Sequence, residues 1–116
     1  MKLIEGGVCA AQGFRAAALH CGVKDGSTKD DLALIVSECR AATAATFTNN
    51  RVKAAPIYVC MEHLENGVAQ AIVANSGNAN ACAPEGMENA RRMAAAAAKA
   101  TGLEENLVLV GSTGVI

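Results

Sequence analysis

A layered α/β or α+β domain, a mixed sheet with one long helix packed on one face, is the fold class that this 116-residue sequence predicts. Three observations lead to it. Two short apolar runs, LALIV at 32–36 and LVLV at 107–110, have the length and composition of strands covered on both faces. One stretch, 84–101, carries helix start and stop signals together. The chain is 52% hydrophobic yet only 3% aromatic, so alanine and short aliphatics must fill the core, which suits layers that approach closely.

Residues 13–23 (GFRAAALHCGV) mix small and apolar side chains and run into Lys24-Asp25-Gly26-Ser27, a turn composition, so a strand followed by a loop is expected. The run 32–36 lies between the charged turn Lys29-Asp30-Asp31 and Ser37-Glu38. Residues 43–48 (TAATFT) carry β-favouring threonines and a phenylalanine and are stopped by Asn49-Asn50, which predicts a further strand. Pro56 interrupts the next stretch, and 57–64 reads as strand or helix by periodicity alone. Residues 68–74 (VAQAIVA) read as a strand running into the turn formers Asn75 to Asn80.

The helix expected over 84–101 has Pro84 near its first turn, Glu85 and Glu88 early, Lys99 late and Gly102 as its stop. Glu88 is placed to reach Arg91 and Arg92, and the opposite face is alanine, which requires a close-lying sheet. The run 107–110 then returns as a buried strand. The expected core is Leu32, Leu34, Val36, Ile72, Val73, Leu107, Val108, Leu109 and Val110.

Ten Lys and Arg against eleven Asp and Glu leave a net charge of -1, with no basic stripe for phosphates and no Trp for base stacking. Nucleic acid is a poor partner. No apolar run approaches the ~20 residues of a membrane span, and the start, MKLIEGG, has neither a signal peptide nor an Arg- and Ser-rich leader, so a cytoplasmic protein is expected. Cys9, Cys21, Cys39, Cys60 and Cys82 are odd in number and lack metal-ligand spacing. They read as buried small hydrophobes, and no metal site is expected.

The chemistry-bearing candidates are loops. Gly111-Ser112-Thr113-Gly114 ends a strand with two hydroxyls and unhindered N–H groups; it is either an ordinary turn or a cradle for an anion or oxyanion. NSGNANAC at 75–82 leads from strand to helix, where Asn75, Asn78 and Asn80 either cap the helix or contact a polar ligand. The stretch lacks the GK[ST] of a phosphate-binding loop and the GxGxxG of a dinucleotide site. Arg51 and Lys53 read as a solvated loop pair, and His20 and His63 as satisfied structural histidines, since neither has a nucleophile at a triad-like spacing.

GFRAAALHCGVK at 13–24, DLALIVSE at 31–38, AATFTNNRVKAAPI at 45–57, IVANSGNANAC at 72–82 and LVLVGSTGVI at 107–116 form an ordered set. The set resembles the amino-terminal part of the bifunctional ornithine acetyltransferase, or glutamate N-acetyltransferase, family of arginine biosynthesis, over essentially the whole chain. The resemblance implies an incomplete α-chain segment, 1–116, of a larger α/β/β/α-type fold. It implies self-cleavage before a threonine, a β chain that begins with that nucleophile, and a heterotetramer of two α and two β chains. Acetyl passes from N-acetylornithine to the threonine and then to glutamate by a ping-pong route; some members also use acetyl-CoA as donor, and no cofactor is expected.

The family's STG turn supplies the oxyanion hole, here the Thr113 hydroxyl and the Gly114 N–H. The nucleophile and the other substrate-contacting positions fall beyond Ile116, so this segment alone is not expected to be active. Two other readings remain at this point: a non-catalytic α/β module that binds a small anionic metabolite, and a segment of a related self-processing aminopeptidase.

Overall fold

The computed structural model describes residues 3–115. Its elements run β1 (Phe14–Leu19), β2 (Leu32–Ala42), α1 (Ala55–His63), β3 (Val68–Asn78), α2 (Gly86–Thr101) and β4 (Val108–Val115), with short 3-10 turns at Gly7–Ala10 and Glu105–Leu107. The sheet order is β1-β2-β3-β4; the first three strands pair antiparallel, and β3 and β4 pair parallel. The sheet is therefore mixed, as expected, but two helices rather than one pack on it.

The alanine-rich face of α2 sets the layer spacing. Ala90, Ala94, Ala97 and Ala98 are buried, and α2 lies close over β3 and β4 because no long side chain holds it off. Gly102 takes a left-handed φ of 72° and returns its N–H to the Ala98 carbonyl, which is the expected C-terminal stop. The helix begins at Gly86, two residues later than the sequence suggests.

The stretch 57–64, ambiguous by periodicity, is helical: α1 starts with Pro56 in its first turn, where a missing N–H costs nothing. Its Val59 and the facing Val108 are fully buried at the centre of the core.

Helix α1 also covers the free edge of β4. The Cys60 thiol donates to the Val110 carbonyl at 3.1 Å and receives the Val110 N–H at 3.3 Å. The His63 Nδ1–H donates to the Val108 carbonyl at 2.7 Å. An edge strand otherwise presents a row of unpaired backbone groups, and these two side chains close it. Burial pushes the Cys60 thiol pKa up, so it serves as a neutral bridge. Replacing His63 with alanine strands the buried Val108 carbonyl and is expected to cost about 1–3 kcal/mol in denaturant unfolding, with the larger share restored by a donor such as glutamine.

Several expectations are corrected. Residues 43–48 form no strand: β2 continues instead through Ser37 to Ala42, held by β1 at Phe14 opposite Ser37 and, past a bulge between Val36 and Ala41, by β3. Cross-strand partners outweigh the β-propensity of TAATFT, of which Phe47 alone reaches the core. Asn75 to Asn78 and Gly111 to Val115 are not turns; both belong to strands.

Of the cysteines only Cys60 is buried, and Cys9, Cys21, Cys39 and Cys82 are exposed. Arg91 pairs with Glu62 of α1 at 2.8 Å rather than with Glu88, because α1 brings a carboxylate to the flank of α2.

Of the expected core, Val73 and Leu107 to Val110 are buried, and Leu32, Leu34 and Val36 are half-buried against it. Ile72 is 43% exposed. It lies on the sheet face away from the helices, where Phe14, Ile35 and Ile72 border an open apolar groove of about 230 Å³. The run 32–36 is thus covered on one face only among the described residues.

Candidate functional site

The two chemistry-bearing stretches of the sequence meet residue for residue. Parallel pairing sets Asn75 opposite Ser112, Ser76 opposite Thr113, Gly77 opposite Gly114 and Asn78 opposite Val115. β3 ends there, and the carboxyl ends of parallel strands are where open α/β sheets hold ligands.

The pairing depends on two glycines. A Cβ on Gly114 would lie 2.5 Å from the Asn78 nitrogen and 2.5 Å from the Gly77 carbonyl carbon. A Cβ on Gly77, whose φ is 123°, would lie 2.7 Å from the Lys24 Cα and 2.8 Å from the Val23 oxygen. Backbone thus stacks on backbone: the loop after β1 lies on Gly77, and Gly77 lies on Gly114.

Around this stack the asparagines hold one another. Ser112 Oγ donates to Asn75 Oδ1 at 2.6 Å. Asn78 Oδ1 accepts the Asn80 N–H at 2.7 Å, and the buried Asn80 donates Nδ2–H to the Gly86 carbonyl at 2.9 Å. The Asn80 carbonyl accepts the Ala55 N–H at 3.1 Å, so one residue ties the end of β3 to the first residues of both helices.

Asn80 and Cys82 take left-handed φ values of 49° and 58°, which lets the chain turn sharply out of β3 toward α2. Thr113 is exposed and shares a shallow cavity of about 200 Å³ with Ala74, Ser76 and Asp31. Gly114 is exposed beside it.

Arg51 and Lys53 lie elsewhere, while His20 stands beside Asp31, its Nδ1 3.4 Å from Asp31 Oδ2. Lys53 Nζ stands 5.9 Å from the Tyr58 ring centroid in a cation–π contact, and Arg51 is exposed. His20 Nδ1 lies 3.0 Å from the Lys29 carbonyl. Among the described residues no group of three or more His, Cys, Asp or Glu is arranged to hold a metal ion.

Sequence reasoning missed Asp31, which is 3% exposed. Its Oδ1 accepts the Cys21 N–H at 2.7 Å and the Cys21 thiol at 3.1 Å, and its Oδ2 accepts the Lys24 N–H at 3.1 Å. The only signal in the sequence is an aspartate at the foot of an apolar strand.

The hydrogen bond from the Cys21 N–H, foremost, holds the Asp31 carboxyl well below the usual carboxylate range, against the opposing effect of desolvation. The folded state therefore binds the proton more weakly than the unfolded chain. The stabilisation is complete above the ordinary aspartate value of about 4 and is lost as pH falls through the lowered folded value. Hydrogen exchange should show the Cys21 and Lys24 amides protected from neutral pH down to about pH 4, losing protection only in stronger acid, whereas D31N leaves the Lys24 amide open throughout.

Residues 15–116 match the family model described as the ArgJ family. The arginine biosynthesis bifunctional protein ArgJ of Caldanaerobacter subterraneus subsp. tengcongensis is 50% identical over 117 residues, covering all of this chain and 28% of that protein. The glutamate N-acetyltransferase of Methanocaldococcus jannaschii is 45% identical over 117 residues, again across all of this chain and 28% of its own length. The chain thus spans 28% of the length of these relatives.

Among solved structures, the arginine biosynthesis bifunctional protein ArgJ of Bacillus halodurans superposes with a TM-score of 0.89 at 43% identity, over 96% of this chain and 58% of that one. The ornithine acetyltransferase of Mycobacterium tuberculosis, solved in complex with ornithine, superposes with a TM-score of 0.81 at 40% identity, over 92% of this chain and 58% of that one.

Proposed function

The chain belongs to the ArgJ family, and from that premise we propose that it is the amino-terminal segment of an N-acetyltransferase that moves acetyl from N-acetylornithine to glutamate. In this reading the nucleophile is a threonine at the start of a β chain released by self-cleavage downstream. Its oxygen attacks the acetyl carbonyl, the amide C–N bond breaks, ornithine leaves with the proton on its amine, and an acetyl-threonine remains. The glutamate amine then attacks that ester, so that N-acetylglutamate departs and the threonine hydroxyl is regenerated.

This segment contributes the oxyanion hole. The Thr113 hydroxyl and the Gly114 N–H donate to the oxygen that becomes negative in both tetrahedral intermediates, and each such donor is worth about 10² to 10³ in rate. The observation that carries the reading is the register of β3 on β4, which sets the NSGN stretch against STG at one sheet end. The alternation of backbone direction along a strand supports it: the Val110 N–H points away from β3 to Cys60, so Gly114, four residues on, falls on the same free edge. The side chains of Asn78 and Asn80 are held within the loop, so their part is to shape the site, while Asn75 reaches it through Ser112.

The open sheet face fits the same reading. An apolar groove bordered by Phe14, Ile35 and Ile72 needs a second layer, and the relatives are more than three times as long as this chain. We assign that face to the remainder of the same protein, giving the two-sheet architecture and an assembly of two α and two β chains. Some members of the family also take acetyl from acetyl-CoA; in this scheme N-acetylornithine is the donor, no cofactor is required, and the compartment is the cytoplasm. No helix among the described residues is long and apolar enough to cross a membrane.

Intact mass spectrometry of the protein made from its full reading frame, before and after incubation with N-acetylornithine, tests the proposal. Two associated chains, the second beginning with threonine and gaining one acetyl group, are expected. A single stable chain without an adduct overturns the proposal in favour of a metabolite-binding module, and an acyl group lost to water without glutamate indicates the aminopeptidase chemistry.

A further inference from the structure

We infer that Asp31 is a positioning residue for the oxyanion donors, acting through the loop 20–24 and Gly77; the inference rests on the proposed acetyl-transfer function. One residue fixes the loop and the strand beneath it at once. Its carboxylate holds the Cys21 and Lys24 amides, while its backbone carbonyl accepts the Ser76 N–H at 2.8 Å and its N–H donates to the Leu19 carbonyl at 3.0 Å.

The loop so held presses Val23 and Lys24 onto Gly77 at a distance that excludes even a methyl group. Gly77 in turn lies directly on Gly114. A displacement of the loop therefore has a short path to the Gly114 N–H, and a shift of about 1 Å in a catalytic donor costs on the order of 10² in rate.

The loop has few other anchors. Gly22 and Gly26 take left-handed φ values of 78° and 66°, and Val23 is the sole aliphatic side chain between Cys21 and Asp31. Beyond Asp31 it is tied by the Ser27 N–H to the Lys24 carbonyl at 3.2 Å, the Lys29 N–H to Ser27 Oγ at 3.2 Å, and His20 to the Lys29 carbonyl. The first two bonds are internal to the loop and do not fix it to the sheet.

An aspartate is required because both oxygens accept backbone N–H groups. Asparagine keeps the size but offers one acceptor, and its amide N–H would face the Lys24 N–H. D31N is therefore the discriminating change. Asp31 also borders the cavity at Thr113, so a through-space effect of its negative charge on the oxyanion predicts the opposite sign: removing the charge would speed the reaction.

The test uses the protein from its full reading frame. D31N is expected to slow acetyl-enzyme formation 10- to 100-fold with the KM for N-acetylornithine within about threefold. In a Thr113→Val background the Gly114 N–H is the donor that remains, so D31N should still slow the step by about tenfold or more there. Independently of activity, amide exchange at Gly77, which the ladder between β3 and β4 holds, should rise at least about tenfold in D31N, with Ala94 of α2 unchanged.

An unchanged or faster D31N overturns the inference, as does a loss that disappears in the Thr113→Val background, which would place the effect on the Thr113 hydroxyl and not on the Gly114 N–H; exchange that rises at Ala94 as well marks general destabilisation and overturns it too. Unaltered exchange at Gly77 overturns it whether or not the wild-type protein is acetylated. A wild-type protein that never forms the adduct, with Gly77 exchange still coupled to Asp31, defeats the functional reading alone and leaves the mechanical link standing.

Discussion

Thr113→Val in the complete protein is expected to lower kcat for acetyl transfer by about 10² to 10³ while leaving KM for N-acetylornithine nearly unchanged. Valine keeps the β-branched shape that suits an exposed strand end and removes only the hydroxyl, so the backbone of β4 has no reason to move. The effect falls on kcat because the hydroxyl meets its full partner only when the carbonyl oxygen has become an oxyanion. A donor that bound substrate and transition state alike would show in KM instead.

Thr113→Ser, which restores the hydroxyl on a less restricted side chain, should recover activity to within about tenfold of wild type. Stopped-flow or quenched formation of the acetyl-enzyme separates this step from the second half-reaction. Equal activity of the Val and wild-type proteins would remove Thr113 from the hole.

What the sequence showed of this fold depended on whether the deciding forces were local. Helix α2 was legible because its signals lie within itself: early Glu88, late Lys99, a glycine that takes the left-handed stop, and an alanine face that needs a near neighbour. The strand core of Val73 and Val108 to Val110 was legible for the same reason, as continuous apolar runs.

The segment 43–48 was misread because its threonines favour a pleat only where a partner strand exists, and β3 pairs instead with Ala41 and Ala42. Arg91 was assigned to Glu88 because spacing on one helix is visible in a sequence; its partner Glu62, on another helix, is not. The exposed Ile72 is a consequence of the uncovered sheet face.

The candidate site divides in the same way. The motifs NSGNANAC and STG were visible, and both lie at the sheet end that carries the proposed chemistry. Their character was not: read as turns, they are the carboxyl halves of two strands, because asparagine and glycine lose their turn preference when a parallel neighbour supplies hydrogen bonds. Asp31 was invisible since its importance rests on amides ten and seven residues away and on a stack that includes no side chain of its own motif.

Gly114→Ala tests that stack, and its expected effect exceeds that of Thr113→Val. A methyl group at 114 would stand 2.5 Å from backbone atoms of Gly77 and Asn78, and a strand backbone, unlike the far end of a flexible side chain, gives way only by breaking its ladder. The ends of β3 and β4 must therefore part, moving the 114 N–H and disturbing the Ser112–Asn75 hydrogen bond two residues back along the ladder.

Loss of acetyl-enzyme formation by more than about 10³ is expected, since two donors are misplaced together. A stability loss of roughly 2–4 kcal/mol should accompany it in denaturant unfolding, within the range of overpacked sites. The effect is local: α2 and its alanine face keep their burial, so amide protection at Ala94 and Ala97 should survive while that at Gly77 and Asn78 collapses. Gly114→Ala with normal protection at Gly77 and normal turnover would mean that the two strands do not stack at this rung, and the proposed oxyanion hole would lose its frame.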